Sequence, residues 1–284
     1  MEKIKSGCRT LIVLFIFTSV LSGFSCAQVT QINEVSIYSG KMDINVKNIV
    51  ILPADYNSRT SKKYPVVYLL HGHGGNQNSF LNIKPNLPEL ASINQVIFVC
   101  PDGKVSWYWD SPTDPKTQYE TYVSKELIDY IDSHYRTIPD KSGRAVTGFS
   151  MGGHGALWMA VTHPETFGAA GSMSGGVDIR PFPRNWNMLN SLGTYTENKA
   201  VWDSHTIATQ VEKLRKISPN LIIDCGQGDF FFKVNETLHK DLTDKKINHT
   251  YISSPGEHNS VYWNKTFDWQ LAFFVEFFAG SRPD

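Results

Sequence analysis

The sequence predicts an α/β protein whose mostly parallel central sheet is flanked by helices on both faces. From residue 64 onward, segments with strand patterns and segments with helix patterns alternate, which is typical of parallel sheets. Several of the strand segments, such as 64–70, are continuous apolar runs, as expected of strands that are buried on both faces. The chain has 284 residues, 41% of them hydrophobic, and this length and composition fit one globular domain.

The elements follow from local patterns. Alternating residues over 33–52 predict two antiparallel strands with a turn at Ser39–Lys41, and 174–218 is interpreted as an insertion that covers the site. The further predicted strands are 64–70, 95–100, 144–147, 167–173, 221–225 and 250–253. The predicted helices are 119–135, 153–160, 230–245 and 261–278.

The N-terminus has the pattern of a targeting signal. A basic start precedes a short apolar run at 11–17, and small residues around Cys26 offer a cleavage site. We therefore expect a signal peptide at 1–27, a mature domain at 28–284 and export from the cytoplasm. The apolar run is too short for a transmembrane helix. Cys26 leaves an alternative open, in which the exported protein is a lipoprotein anchored through that cysteine.

Charge and cysteine usage exclude some partners. The 27 basic and 27 acidic side chains balance, so nothing indicates binding to nucleic acid. Cleavage would leave Cys100 and Cys225, each at the end of a predicted strand, and we expect two buried thiols rather than a disulfide. The sequence indicates no oligomeric state.

The segment Gly148-Phe149-Ser150-Met151-Gly152 has the pattern G-x-S-x-G between a predicted strand and a predicted helix. This is the nucleophile elbow of α/β-hydrolases, in which a sharp turn exposes the serine hydroxyl. Ser150 is the predicted nucleophile. The competing interpretation is a structural glycine-rich turn.

A serine nucleophile needs a base and a group that orients the base. His258 follows the last predicted strand and is the candidate base, since sites of such sheets form at the carboxyl ends of strands. Two acids are candidates. Asp229 lies in the loop after its strand, whereas Asp224 lies within the strand, so we favour Asp229 and interpret Asp224 as a buried structural acid.

The segment His71-Gly72-His73-Gly74-Gly75 is similar to the oxyanion loop of lipases and esterases. We expect the backbone amides of His73 and Met151 to stabilise the oxyanion of a tetrahedral intermediate. His71 and His73 could instead be a metal pair, but no third ligand lies at a helpful spacing. We therefore predict no metal and no cofactor.

The chain resembles the putative-esterase family of α/β-hydrolases, which includes tributyrin-type esterases, S-formylglutathione hydrolases, feruloyl and acetylxylan esterases, and mycolyltransferases. The matching segments are 70–75, 101–103, 106–112, 119–121, 148–153, 224–229 and 256–258. The resemblance implies the α/β-hydrolase fold and Asp229 as the acid. The Trp107–Asp110 segment looks like the mycolyltransferase stretch whose Asp binds a sugar, which makes Asp110 a candidate substrate contact; the alternative is an acid that braces the loop.

Together these features predict an exported serine carboxylesterase that hydrolyses acetyl or feruloyl esters on carbohydrate. The expected substrate contacts are Trp107, Trp109, Asp110 and Trp263, because aromatic faces stack on sugar or feruloyl rings. The competing interpretation is that these aromatics only close the core. Two other functions stay open: acyl transfer to a sugar hydroxyl, and a catalytically inactive carbohydrate-binding protein on the same fold.

Overall fold

The sheet combines strands of two sequence patterns, the alternating pattern of 33–52 and the continuous apolar runs that follow it. The computed structural model describes residues 30–218 and 220–280, so the predicted signal peptide and Cys26 lie outside the described residues. The strands are β1 (Gln31–Ser39), β2 (Ile44–Leu52), β3 (Val66–Leu70), β4 (Ile97–Pro101), β5 (Arg144–Gly148), β6 (Ala169–Met173), β7 (Leu221–Gly226) and β8 (Thr250–Ser254). Within the described residues they form one sheet in the order β1-β2-β4-β3-β5-β6-β7-β8.

Strand direction determines where a site can form. β1 and β2 are antiparallel to each other, and β2 is antiparallel to β4, whereas β3 to β8 are mutually parallel. The carboxyl ends of six strands therefore meet at one edge of the sheet, and the loops that leave them lie together. The mostly parallel sheet that the sequence predicted is confirmed.

Both faces of the sheet are buried because successive side chains of a strand point to opposite faces. In β3, Tyr68 and Leu70 belong to one apolar cluster while Val67 and Leu69 belong to the other. The helices are α1 (Ser79–Ile83), α2 (Leu87–Asn94), α3 (Tyr119–Thr121), α4 (Leu127–His134), α5 (Met151–Thr162), α6 (Met188–Leu192), α7 (Lys199–Ser204), α8 (Phe232–Asp244) and α9 (Ser260–Gly280). Helices α4, α5 and α8 cover the first face, and α1, α2 and α9 cover the second.

The predicted helix at 119–135 contains a local widening. A π-helical turn at Tyr122–Glu126 joins α3 to α4, so the three pieces form one helix without a break. Tyr122 and Leu127 are both fully buried although they lie five residues apart. An α-helix of about 3.6 residues per turn would place such a pair on different faces, and the wider turn brings them to the same one.

Helices α1 and α2 were not evident from the sequence patterns. Helices α1 and α2 have five and eight residues, too few for a clear apolar period. The segment 174–218 leaves the sheet after β6, contains α6, α7 and two 3₁₀ turns, and returns at β7. Cys100 and Cys225 are both buried and free, as expected. No described helix combines the length and apolarity needed to cross a bilayer.

Candidate active site

The turn between β5 and α5 holds Ser150 in an unusual backbone conformation, with φ at 57° and ψ at −119°. The space around this turn explains both flanking glycines. A Cβ atom at Gly152 would lie 1.8 Å from the carbonyl oxygen of Leu70, and one at Gly148 would lie 2.3 Å from the same atom. The Ser150 amide donates to the Met173 carbonyl at 2.9 Å, which fixes the turn to the neighbouring strand.

Three side chains from three loops form one hydrogen-bonded line. Nε2 of His258 lies 2.8 Å from Oγ of Ser150, and Nδ1 of His258 lies 2.8 Å from Oδ2 of Asp229. The second oxygen of Asp229 accepts from the Phe231 amide at 2.8 Å, and this carboxylate is fully shielded from solvent. With the carboxylate beside Nδ1, the proton of a neutral His258 lies on Nδ1 and Nε2 is free to accept from the serine hydroxyl.

The other candidate acid lies elsewhere. Asp224 is inside β7 and wholly buried, and its Oδ2 accepts from the side-chain amide of Gln270 on α9 at 2.7 Å. Burial raises the pKa of Asp224 to about 7. The structure thus brings Asp229, and not Asp224, into contact with His258.

The predicted oxyanion loop approaches the serine from β3. Among the described residues, the structure records no acceptor for the backbone amide of His73 or of Met151. The His71 ring is occupied, because its Nε2 accepts from the Gly103 amide at 2.8 Å and its Nδ1 contacts the Gly72 carbonyl at 2.7 Å. The His73 ring instead contacts Oδ1 of Asn187 through Nε2 at 2.9 Å.

A cleft of about 520 Å³ opens above Ser150 and His258. Aromatic side chains form much of its wall. Trp263 stacks on Phe149 with 4.5 Å between the ring centroids, and Phe230, which is 52% exposed, lies 4.1 Å from the His258 ring. Trp186 from the insertion stacks on Phe230 at 5.6 Å. The remaining lining comes from the 72–75 loop and from Ser79, Asn82 and Ile83.

Comparison with known proteins identifies the family. The family described as "Putative esterase" matches residues 39–274. The chain belongs to this family. Esterase MT1326 of Mycobacterium tuberculosis is 30% identical over 239 residues, which are 74% of this chain and 51% of that protein. The chain therefore spans about half the length of that relative.

Two further similar proteins are matched over nearly their whole length. The acetyl esterase of Caldicellulosiruptor saccharolyticus is 25% identical over 263 residues, 84% of this chain and 97% of that protein. Among solved structures, the fluorophosphonate-binding serine hydrolase FphF of Staphylococcus aureus superposes with a TM-score of 0.76 at 19% identity, covering 87% of this chain and 99% of that one. The last likeness bears on the fold, which is the α/β-hydrolase fold that the sequence predicted.

In this member of the esterase family, only one of the expected substrate contacts lines the cleft. Trp263 lines the cleft as predicted. Trp107 and Trp109 do not, because they are 1% and 0% exposed and their rings stack on each other at 5.5 Å. The expectation that these two tryptophans form the rim is therefore corrected: they belong to the buried core beneath the site.

Both tryptophan rings pack against a buried histidine to which no sequence pattern pointed. His154, on the first turn of α5, accepts from the Trp109 indole N–H through Nε2 at 2.8 Å and donates through Nδ1 to the Gly176 carbonyl at 2.9 Å. Burial lowers the pKa of His154 to about 3, so its ring is neutral. The network joins the 107–109 loop and the start of the insertion to the helix that follows Ser150.

Asp110 is likewise corrected. Its carboxylate accepts from the backbone amide of Thr121 at 2.9 Å and from the Thr121 hydroxyl at 2.5 Å. Both of its oxygens are thus engaged at the start of the long helix, and Asp110 is absent from the lining of the cleft. Phe230 lines the cleft although it was not among the predicted contacts. Its position directly after Asp229 was the sequence signal that could have indicated it.

Proposed function

We propose that this protein is a serine carboxylesterase whose triad is Ser150, His258 and Asp229. The observation that carries the proposal is the continuous line of hydrogen bonds from the Asp229 carboxylate through His258 to Oγ of Ser150, at the floor of an open cleft. The membership of the esterase family and the likeness to an acetyl esterase agree with this chemistry. The same line of hydrogen bonds disfavours the alternative of a catalytically inactive carbohydrate-binding protein.

The geometry supports one route of proton movement. Ser150 Oγ attacks the ester carbonyl while Nε2 of His258 takes the hydroxyl proton, and the buried Asp229 carboxylate stabilises the imidazolium that forms. His258 then gives the proton to the leaving alcohol, and an acyl-enzyme remains. Water then attacks the acyl-enzyme carbonyl while His258 takes a proton from the water. The carboxylic acid leaves, and His258 returns the proton to Oγ of Ser150.

The amides of His73 and Met151 are the proposed oxyanion hole. Neither amide has a hydrogen-bond acceptor among the described residues. Met151 follows Ser150 in sequence, and His73 lines the same cleft as Ser150. Backbone donors that are already fixed cost no reorganisation when charge develops on the carbonyl oxygen. Because Gly152 and Gly148 allow close approach of the elbow to Leu70, the serine is held near this loop.

The proposed substrate is an acetyl or feruloyl ester of a carbohydrate. Acetyl esters are suggested by the acetyl esterase relative. The cleft volume of about 520 Å³ falls in the range of small-molecule sites, and its aromatic wall suits a feruloyl ring or a sugar face. The alternative of acyl transfer shares the acyl-enzyme, so only the acceptor distinguishes it.

A substrate panel tests the proposal. Acetylated and feruloylated xylo-oligosaccharides are incubated with the wild-type protein and with Ser150→Ala, and products are separated by mass spectrometry. We expect free acid from the wild type and a loss of several powers of ten in Ser150→Ala. Near-full activity in folded Ser150→Ala would refute the mechanism, and acyl groups moved to added sugar would favour the transferase.

A further inference from the structure

A second cleft, of about 400 Å³, lies at the same edge of the sheet as the catalytic cleft. It is formed by the loop after β4, the 114–119 segment, the start of β2 and helix α6 with the residue before it. Its lining is partly apolar, with the buried ring of Tyr119 and the exposed side chain of Val105. Its rim is polar, with Lys116, Asn187 and Asn190.

One pair of side chains separates the two clefts. His73 lines the catalytic cleft, Asn187 lines the second one, and the two are joined by the 2.9 Å contact between Nε2 and Oδ1. Trp186 and Asn187 have φ angles of 49° and 58°, so the chain makes a tight left-handed turn here. This turn gives Trp186 to the catalytic cleft and Asn187 to the second cleft.

The rim offers side-chain hydrogen-bonding groups that make no hydrogen bond to the described residues. No ion pair or hydrogen bond is recorded between the Lys116 ammonium and any described residue, and the same holds for the Asn190 carboxamide. Asp114 is already engaged, since it accepts from the Lys116 amide at 3.0 Å and from the Thr117 hydroxyl at 2.7 Å. The available groups are therefore mainly donors and one amide oxygen.

We propose that the second cleft is a saccharide subsite, which holds sugar residues of an esterified oligosaccharide while the ester lies at Ser150. This inference rests on the proposed function, because the sugars in the second cleft are placed relative to an ester bound at Ser150. A sugar ring presents an apolar face and a rim of hydroxyls, and the lining of the cleft combines apolar side chains with amide and ammonium groups. A continuous chain of sugars would pass over the contact between His73 and Asn187 to occupy both clefts.

Direct binding tests the subsite without relying on turnover. Unesterified xylotetraose is titrated by calorimetry into Ser150→Ala, and into the same protein carrying Asn190→Ala with Lys116→Ala. Both added substitutions are at exposed positions, and alanine favours helix α6. We expect saturable binding that weakens at least tenfold in the triple variant. The matched control carries Asn248→Ala with Lys213→Ala, two exposed residues at the opposite edge of the sheet, and should bind like Ser150→Ala.

The outcomes are separable. Absent binding, or equal binding in the triple variant and the control, overturns the subsite even if the wild type hydrolyses p-nitrophenyl acetate. Binding that depends on Asn190 and Lys116 supports the subsite even if the wild type hydrolyses no ester, a result that would remove the proposed function alone. Where both hold, kcat/KM for acetylated xylotetraose should fall at least tenfold in Asn190→Ala/Lys116→Ala with Ser150 intact.

Discussion

The indole N–H of Trp109 donates to Nε2 of His154 at 2.8 Å, in the buried layer under the helix that begins after Ser150. His154 in turn donates to the Gly176 carbonyl, and the Gly176 amide donates to the Ser150 carbonyl at 3.4 Å. A buried neutral imidazole therefore links the aromatic loop, the insertion and the elbow. Its partners are all internal, so we assign the group to stability and not to substrate contact.

The first prediction concerns this bond. Trp109→Phe removes the donor and leaves Nε2 of His154 buried without a partner, which costs about 1–3 kcal/mol, and the smaller ring adds a cavity term. We expect the free energy of unfolding to fall by about 2–4 kcal/mol in urea titrations. Trp269→Phe, at a half-buried position on α9, is the control and should change little. An unchanged Trp109→Phe protein would contradict the structural role.

The second prediction separates the two acids. Asp229→Asn should lower kcat on p-nitrophenyl acetate by about 10³–10⁴, because the amide no longer holds His258 in the required tautomer. Asp224→Asn should stay within a few-fold of the wild type, since its carboxyl group contacts Gln270 and not His258. Circular dichroism checks that both variants fold. The reverse pattern of activities would move the triad acid to β7.

The third prediction concerns pH. Burial raises the pKa of Asp224 to about 7 in the native state, against an ordinary value of 3.8. Between these values the native protein binds the proton that the unfolded chain has lost, so this group's contribution to stability declines as pH rises from about 4 to 7. The decline is at most about 1.4 kcal/mol per pH unit.

Asp224→Asn removes that titration while keeping the shape of a neutral acid. The free energy of unfolding of Asp224→Asn minus that of the wild type should therefore increase between pH 5 and pH 7.5. Urea titrations at both pH values measure it. A difference that does not change with pH would show that Asp224 ionises in the folded protein much as it does in the unfolded chain.

Much of the fold was predictable because its signals are local. The buried strands are apolar runs, and Ser150 and His258 lie in the segments that follow β5 and β8, where the parallel topology brings loops together. The π turn at Tyr122–Glu126 and the short helices α1 and α2 carry no such period. They depend on packing against the sheet, which a single sequence does not display.

The wrong expectation for Trp107 and Trp109 has a different cause. Aromatic residues in a loop at the carboxyl edge have the same sequence pattern whether they face a ligand or the core. Their burial depends on His154 and on the insertion, whose Trp186 carbonyl accepts from the Trp107 indole at 3.1 Å. These partners lie 45 and 79 residues away in sequence, so local pattern alone could not place the rings.

The fourth prediction concerns export, which we propose from the basic start and apolar run of the sequence. Mass spectrometry of the protein recovered from the producing cells should show a shortened N-terminus, either from cleavage after residue 27 or, in an anchored protein, from cleavage before Cys26. A free N-terminus at Gln28 would indicate soluble export, and a lipid-modified Cys26 would indicate an anchored protein. A full-length chain that starts at Met1 and stays in the cytoplasm would contradict both.

The last prediction moves the aromatic rim from the buried tryptophans to Trp186. This side chain lines the cleft and stacks on Phe230. The backbone carbonyl of residue 186, which accepts from the Trp107 indole N–H, is retained in an alanine variant. An aromatic contact is worth about 0.5–1.5 kcal/mol beyond its buried area. Trp186→Ala should therefore raise KM for a feruloylated xylo-oligosaccharide by a few-fold to about tenfold, as about 1.4 kcal/mol is a factor of ten. KM for p-nitrophenyl acetate should rise less, because that ester reaches little beyond Ser150. Equal increases for both esters would mean that Trp186 supports the cleft only by packing.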